Sequence, residues 1–258
     1  MRFVSRLKQM AACVMLTASC CGAALADELQ VLSAGAIEPG LKAAAAAFEK
    51  QTGHVAKITF NTAPELRKRM DSQAAFDVVI APPAAIADFA AASKLLDTRA
   101  NVGRVGMGVA VRDGAAVPDI SSADALKRLV LEAQSLVFNR ASTGMYLEDL
   151  LKKMDVYTQI EGKTSRYPDG ISVLEHVIKG QGREVGFGAI TEILLYQGKG
   201  LKFVGPLPAS IQNYTSYTAA PLASGTASCT RQALARQFVS FLSGPVAKPL
   251  FIAADITD

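Results

Sequence analysis

Past Ala26 the sequence holds a single cysteine, Cys229. No internal disulfide can form there, even in an oxidising compartment. Histidine is as scarce: His54 and His176 are the two in the chain, and neither has a partner at metal-ligand spacing. His54 follows the helix-ending Gly53 and reads as surface. His176 falls within a helix whose apolar face is Ile171, Val173, Leu174, Val177 and Ile178. There is no G-x-S-x-G elbow and no P-loop. "GQGREVG", from Gly180, has the glycines of a phosphate loop but follows a helix and precedes a strand, the wrong order for that role. Cys229 stands at a helix start with no activating base, so it reads as a buried or capping thiol. The sequence therefore points to no catalytic residue, no metal site and no cofactor. No apolar run after Ala26 is long enough to span a bilayer, and no basic stripe suggests nucleic acid.

What is present begins with a leader. Arg2, Arg6 and Lys8 form a basic segment, an apolar run follows, and Ala24 and Ala26 give an A-x-A cleavage site. Residues 1–26 are expected to be a signal peptide, with the mature chain starting at Asp27. The leader carries three basic residues and no acidic ones, so removing it takes the formal net charge from +4 to +1. Cys13, Cys20 and Cys21 leave with it. The expected location is the periplasm.

The remainder alternates strands and helices. "HVAKITF" (54–60) alternates inward and outward residues, and "FDVVIA" (76–81) is a continuous apolar run suited to a strand covered on both faces. Helices are expected over 39–51, 64–71 and 83–94, each opening on a proline whose missing N–H is harmless there. "SLVFN", "EVGFGAI" and "LKFVGPL" read as further strands. Leu147, Leu150, Leu151 and Met154 share one helical face, residues 171–181 form another helix, and Leu234, Phe238, Phe241 and Leu242 a third stripe, with a last helix opened after Gly244 and Pro245. This order predicts an α/β fold with largely parallel sheets. Two long extended segments, 103–114 and 213–225, lack an intervening helix and suit strands that cross between two lobes.

Several predicted strand-to-helix turns are built from small residues: "SAGAIEP", "FNTAPEL", "FNRASTGMY" and "YPDGISV". Ligands of open α/β sheets sit at the carboxyl ends of strands, where helix N-termini offer free N–H groups and partial positive charge. Small side chains let a ligand approach that backbone, although tight turns also favour them on steric grounds alone. Arg140 could fork onto an oxyanion or lie in solvent. Asn61 and Thr62 could donate to a ligand or cap a helix. Asp169, before Gly170, reads as a turn residue.

The chain resembles the periplasmic molybdate-binding proteins of ABC importers, within the bacterial extracellular solute-binding proteins. The features that carry the resemblance are "VLSAGAIEPGLKAAAAAFEKQTGH", "FNTAPELRKRM", "FDVVIAPPAAIADFAAASKL", "STGMYLEDLLKKM", "GREVGFGAI" and "RQFVSFLSGPVAKPLF". The resemblance implies a type II periplasmic-binding-protein fold: two lobes, each a mostly parallel sheet flanked by helices, joined by two crossing strands and closing on ligand. It implies lobe one from 27–104 and 218–258 and lobe two from 105–217. It implies a monomer that carries a small anion, molybdate or tungstate by default, to an inner-membrane ABC permease. The implied site comprises Ala36, Asn61, Thr62, Ala63, Arg140, Ser142, Thr143 and Ile171. Where the family uses serine hydroxyls in the first two turns this sequence has Ala36 and Ala63, and at the family's tyrosine it has Ala189. Backbone amides near Thr143 and Ile171 survive such changes and hydroxyl donors do not. Ser33, Asn61, Thr62, Arg140 and Ser142 are the available substitutes. A hydrogen bond to a charged group contributes about 1.5–3 kcal/mol, so three lost hydroxyls keep a small organic carboxylate in view as an alternative ligand. A ligand sensor for a membrane receptor and a secreted enzyme on the same scaffold are the other readings.

Overall fold

A computed structural model describes residues 27–72, 75–92, 94–223 and 228–258. The expected signal peptide lies outside the described residues. The strands are β1 (Glu28–Ala34), β2 (Val55–Asn61), β3 (Val78–Ala81), β4 (Ala100–Arg112), β5 (Ser135–Asn139), β6 (Thr164–Tyr167), β7 (Glu184–Ala189), β8 (Leu201–Pro206) and β9 (Tyr214–Pro221). The helices are α1 (Glu38–Thr52), α2 (Ala63–Asp71), α3 (Pro83–Ala91), α4 (Ala123–Glu132), α5 (Ser142–Lys153), α6 (Tyr157–Ile160), α7 (Gly170–Lys179), α8 (Ile190–Leu195), α9 (Cys229–Leu242) and α10 (Ala247–Ile252).

The strands join in the order β2-β1-β3-β9-β4-β7-β5-β6, with β8 also on β4. At one end β2, β1 and β3 run parallel; at the other β6, β5 and β7 do. The antiparallel strands β4 and β9 pair between them. β4 crosses from one half to the other: Ala100–Gly106 pairs with β9, whereas Met107–Ala110 pairs with β7. This is the type II two-lobed arrangement, with the crossing strands where the extended segments 103–114 and 213–225 were expected. Residues 224 and 225 of the second segment lie outside the described residues.

The crossing point is pinned by a side chain. The Gln212 carboxamide accepts from the Met107 N–H (3.0 Å) and donates to the Met107 C=O (2.9 Å). It adds to backbone bonds at the same residue: the Met107 N–H also donates to the Asn213 C=O and its C=O also accepts from the Leu207 N–H, both at 3.1 Å.

Local sequence explains the elements around the sheet. α1 has a proline in its first turn and ends on Gly53 at φ 78°, the left-handed conformation that closes many helices. Its buried face, Leu41, Ala44 and Phe48, packs towards α9, where Phe48 meets Phe238 and Phe241 edge-on at 5.0 and 5.3 Å. One apolar core lies around β1, β3 and β9 with α1, α9 and α10. Two others cover opposite faces of the second half: one around α4, α5 and Phe138, the other around α7 with Val137 and Leu201. Cys229 departs from expectation. It is exposed, and the cap of α9 is Ser228, whose hydroxyl accepts from the Arg231 N–H. Asp77, nearly buried, takes a two-pronged bond from the Arg231 guanidinium at 2.6 and 2.8 Å.

Candidate ligand cleft

The two sheet halves enclose a cleft of about 680 Å³. All four small-residue turns line it: β1 to α1 with Ala34, Gly35 and Ala36; β2 to α2 with Asn61, Thr62 and Ala63; β5 to α5 with Asn139, Ala141, Ser142 and Thr143; β6 to α7 with Asp169, Gly170 and Ile171. The N-termini of α2, α5 and α7 thus open on one space, each carrying free N–H groups.

Each turn is held differently. In the β5–α5 turn Ala141 occupies the cap position without a side-chain bond. Asn139 does the capping from two residues earlier: its Oδ1 accepts from the N–H groups of Ala141 and Gly144, both at 3.0 Å. Its amide group is also engaged with the Thr143 hydroxyl, both groups being buried. Gly144 permits this, because a Cβ there would overlap the Asn139 carbonyl. The Thr143 hydroxyl is therefore committed to Asn139, while the Ser142 hydroxyl lines the cleft and bonds to no other group among the described residues. In the β6–α7 turn Asp169 caps α7, accepting from Ser172 N–H at 2.7 Å. In the β2–α2 turn Thr62 sits at the cap position but its hydroxyl makes no cap bond. The Asn61 side-chain N–H donates to the Phe60 C=O, and its Oδ1 is buried with no partner among the described residues.

Seven of the eight residues expected at the site line the cleft: Ala36, Asn61, Thr62, Ala63, Ser142, Thr143 and Ile171. Arg140 does not. Its backbone N–H bonds to the Tyr167 C=O at 2.8 Å and the residue is exposed, outside the lining. Of the two readings open for Arg140, the solvent-exposed one fits this placement. Ser33 is also excluded as a substitute hydroxyl, being fully buried with its O–H on the Ala34 C=O.

Three cleft residues were missed in the sequence. Tyr217, on the crossing strand β9, is 4% exposed and lines the cleft. Burial, with the neighbouring Glu192 charge, holds its phenol well above the usual range, so it remains a hydroxyl donor. Ala189 is where the resemblance placed a tyrosine; Tyr217 brings a phenol into the same cleft from a different strand. Lys199 is exposed and also lines the cleft.

Glu192, on α8, is the third. Burial pushes its carboxyl up to about 7, with the charges of Asp169 and Glu38 adding to the effect. Thr191, beside it, is buried and donates its hydroxyl to the Ala36 C=O at 2.5 Å, tying α8 to the β1–α1 turn. The cleft therefore combines helix N-termini, the hydroxyls of Thr62 and Ser142, which bond to no other group among the described residues, a phenol, and a carboxyl that burial pushes up to about 7. Among the described residues no group of His, Cys, Asp and Glu is placed to hold a metal ion, and no helix is long and apolar enough to cross a membrane.

Comparison with known proteins agrees with this architecture. The family model described as bacterial extracellular solute-binding protein matches residues 29–254. An aconitate isomerase from a Pseudomonas species is 30% identical over 201 residues, covering 74% of each chain. The periplasmic molybdate-binding protein of Azotobacter vinelandii superposes with a TM-score of 0.70 at 19% identity, covering 89% of this chain and 99% of that one. PEB3, a Campylobacter jejuni protein with a structure bound to L-phospholactate, superposes with a TM-score of 0.67 at 13% identity over 89% and 99% of the two chains. The structural likenesses carry the fold; the family match runs through nearly all the described residues, and by it this chain belongs to the bacterial extracellular solute-binding proteins.

Proposed function

We propose that the chain is the periplasmic substrate-binding component of an ABC importer and that its cleft takes a small organic carboxylate in preference to a tetrahedral oxyanion. The lobes are assigned to 27–104 with 218–258 and to 105–217, and the protein works as a monomer. The observation that carries the ligand assignment is the alanine at each of Ala36, Ala63 and Ala189 in a cleft of about 680 Å³. A tetrahedral dianion needs a tight shell of donors, and each lost bond to a charged group costs about 1.5–3 kcal/mol. A cleft of this volume falls within the range of about 300–1,000 Å³ that suits organic ligands. The remaining donors, Thr62, Ser142, Tyr217 and the helix N-termini, are spread across it and match carboxylates held some distance apart. The aconitate isomerase relative, named for a tricarboxylate, supports the same class.

The test is a thermal-shift series on protein stripped of ligand by unfolding and refolding. The panel contains mono-, di- and tricarboxylates, including both aconitate isomers, together with molybdate, tungstate, sulfate and phosphate. A carboxylate at about 100 times its Kd should add about 2.7 kcal/mol of apparent stability. A shift with molybdate and tungstate alone would overturn the carboxylate assignment.

A second reading is isomerisation of a bound unsaturated polycarboxylate. It is favoured by a cleft carboxyl, Glu192, that titrates near neutrality, as a general base or acid requires. Interconversion of cis- and trans-aconitate, followed by proton NMR with the purified protein, separates this reading from binding alone.

A further inference from the structure

Glu192 has the wrong charge for a site that welcomes anions, yet the fold makes room for it. Its Oε1 would lie 3.4 Å from a Cβ placed on Gly35, and a Cβ on Gly170 would overlap its Oε2. One carboxyl thus lies against the β1–α1 turn and the first residue of α7, the two sides of the cleft. A larger side chain at Gly170 would displace it. Among the described residues no hydrogen bond or ion pair reaches this carboxyl. The charges that act on it are those of Asp169 and Glu38, both acidic, and among the described residues no cation pairs with it. Asp169 is the cap of α7. Glu38 opens α1 and is held by Lys42 at 2.5 Å. Tyr217 presents a phenol, and Lys199 and Tyr196 line the same cleft. An ionised carboxylate here would face two acidic neighbours and repel an anionic ligand. A neutral carboxyl would instead have an O–H to give.

We propose that Glu192 meets the ligand as a carboxylic acid, donating a hydrogen bond to an anionic oxygen, so that binding takes up one proton. No covalent step is involved: the proton comes from solvent, stays on the Glu192 carboxyl and is shared with the ligand oxygen. The inference rests on the reading of the cleft as an anion site. It assigns Glu192 as a specificity residue that replaces one of the hydroxyl donors absent at Ala36, Ala63 and Ala189. The upward shift of its titration agrees with this role.

The experiment measures Kd by calorimetry for trans-aconitate and for molybdate between about pH 7 and about pH 9, in buffers of differing ionisation enthalpy. The wild-type Kd should rise up to about tenfold per pH unit across the upper part of this window, and the binding enthalpy should vary with buffer as one proton is taken up. Glu192→Gln, which keeps an N–H donor but cannot titrate, should bind with a flat profile and a buffer-independent enthalpy. A flat wild-type profile, or a Glu192→Gln profile parallel to the wild type, overturns the proposal. The buffer dependence is read on the wild type itself, so it decides even if the variant folds poorly. If molybdate alone binds, the carboxylate preference falls while the Glu192 proposal is still decided on molybdate. If neither binds, both fall together.

Discussion

Single side chains set the geometry of this cleft more than the turns themselves do. Asn139 is the clearest case. Its Oδ1 serves the N–H groups of Ala141 and Gly144, and its amide group also pairs with the Thr143 hydroxyl. Leaving a buried donor unpaired costs about 1–3 kcal/mol, so Asn139→Ala should lower stability by roughly 2–4 kcal/mol, read as a fall in urea midpoint with little change in slope. An Asn139→Ala protein as stable as the wild type would show that water replaces the carboxamide and that the cap is dispensable. Arg140, its neighbour, shows the limit of reading a turn from composition. The sequence puts a guanidinium beside two hydroxyl residues; in the structure the Arg140 N–H bonds to the Tyr167 C=O and the residue is exposed outside the cleft lining. Glu192 illustrates the converse. In "AITEILLY" an acidic residue reads as the solvated face of a helix, and its place in the cleft follows only from packing against Gly35 and Gly170.

At the scale of elements, the strands and helices with strong periodicity were legible. β3, expected over 76–81, forms over Val78–Ala81, and α2, expected over 64–71, forms over Ala63–Asp71. β6 was not legible, because "TSRY" is partly buried on every residue and shows neither alternation nor an apolar run. α8 is short and follows β7 directly, so periodicity had too few residues to register. α4 did carry signals, Ser122 as its cap and Leu126 and Val130 on one face, between the expected segment 103–114 and the expected strand "SLVFN", but they went unread. The crossing strands were legible from length alone; the Gln212 clamp on Met107 was not, since a lone glutamine after a turn has no pattern. Gln212→Ala should loosen this junction. We expect loss of about 1–2 kcal/mol of stability from two hydrogen bonds, and faster amide exchange at Met107, which retains only its 3.1 Å bond to the Asn213 C=O. Unchanged exchange at Met107 would remove Gln212 from the crossing.

For the whole molecule, the nine strands form one continuous hydrogen-bonded surface, and the cleft charge is coupled to its stability. The Glu192 carboxyl holds its proton to about pH 7 in the folded protein, whereas a free glutamate loses it near pH 4.3. Between these values the folded state binds more protons, so this contribution is fully present below the lower value and is lost as pH rises to the upper one. Wild-type stability relative to Glu192→Gln should therefore fall by roughly 1–3 kcal/mol across that window and stay level above it. A constant difference in melting behaviour between the two proteins would sink the assignment. The Thr191 hydroxyl bond to the Ala36 carbonyl has a consequence of another kind. It joins the two halves beside the cleft, so under the proposed binding cycle the walls would open about this point as a fulcrum, the gap widening with distance from it. A short ligand seated near the fulcrum would leave the outer rim free to meet, whereas a longer one would prop it apart. Under the proposed function the fold would then act as a gauge, turning the length of its cargo into an angle between lobes that a membrane partner could read without touching the cargo itself.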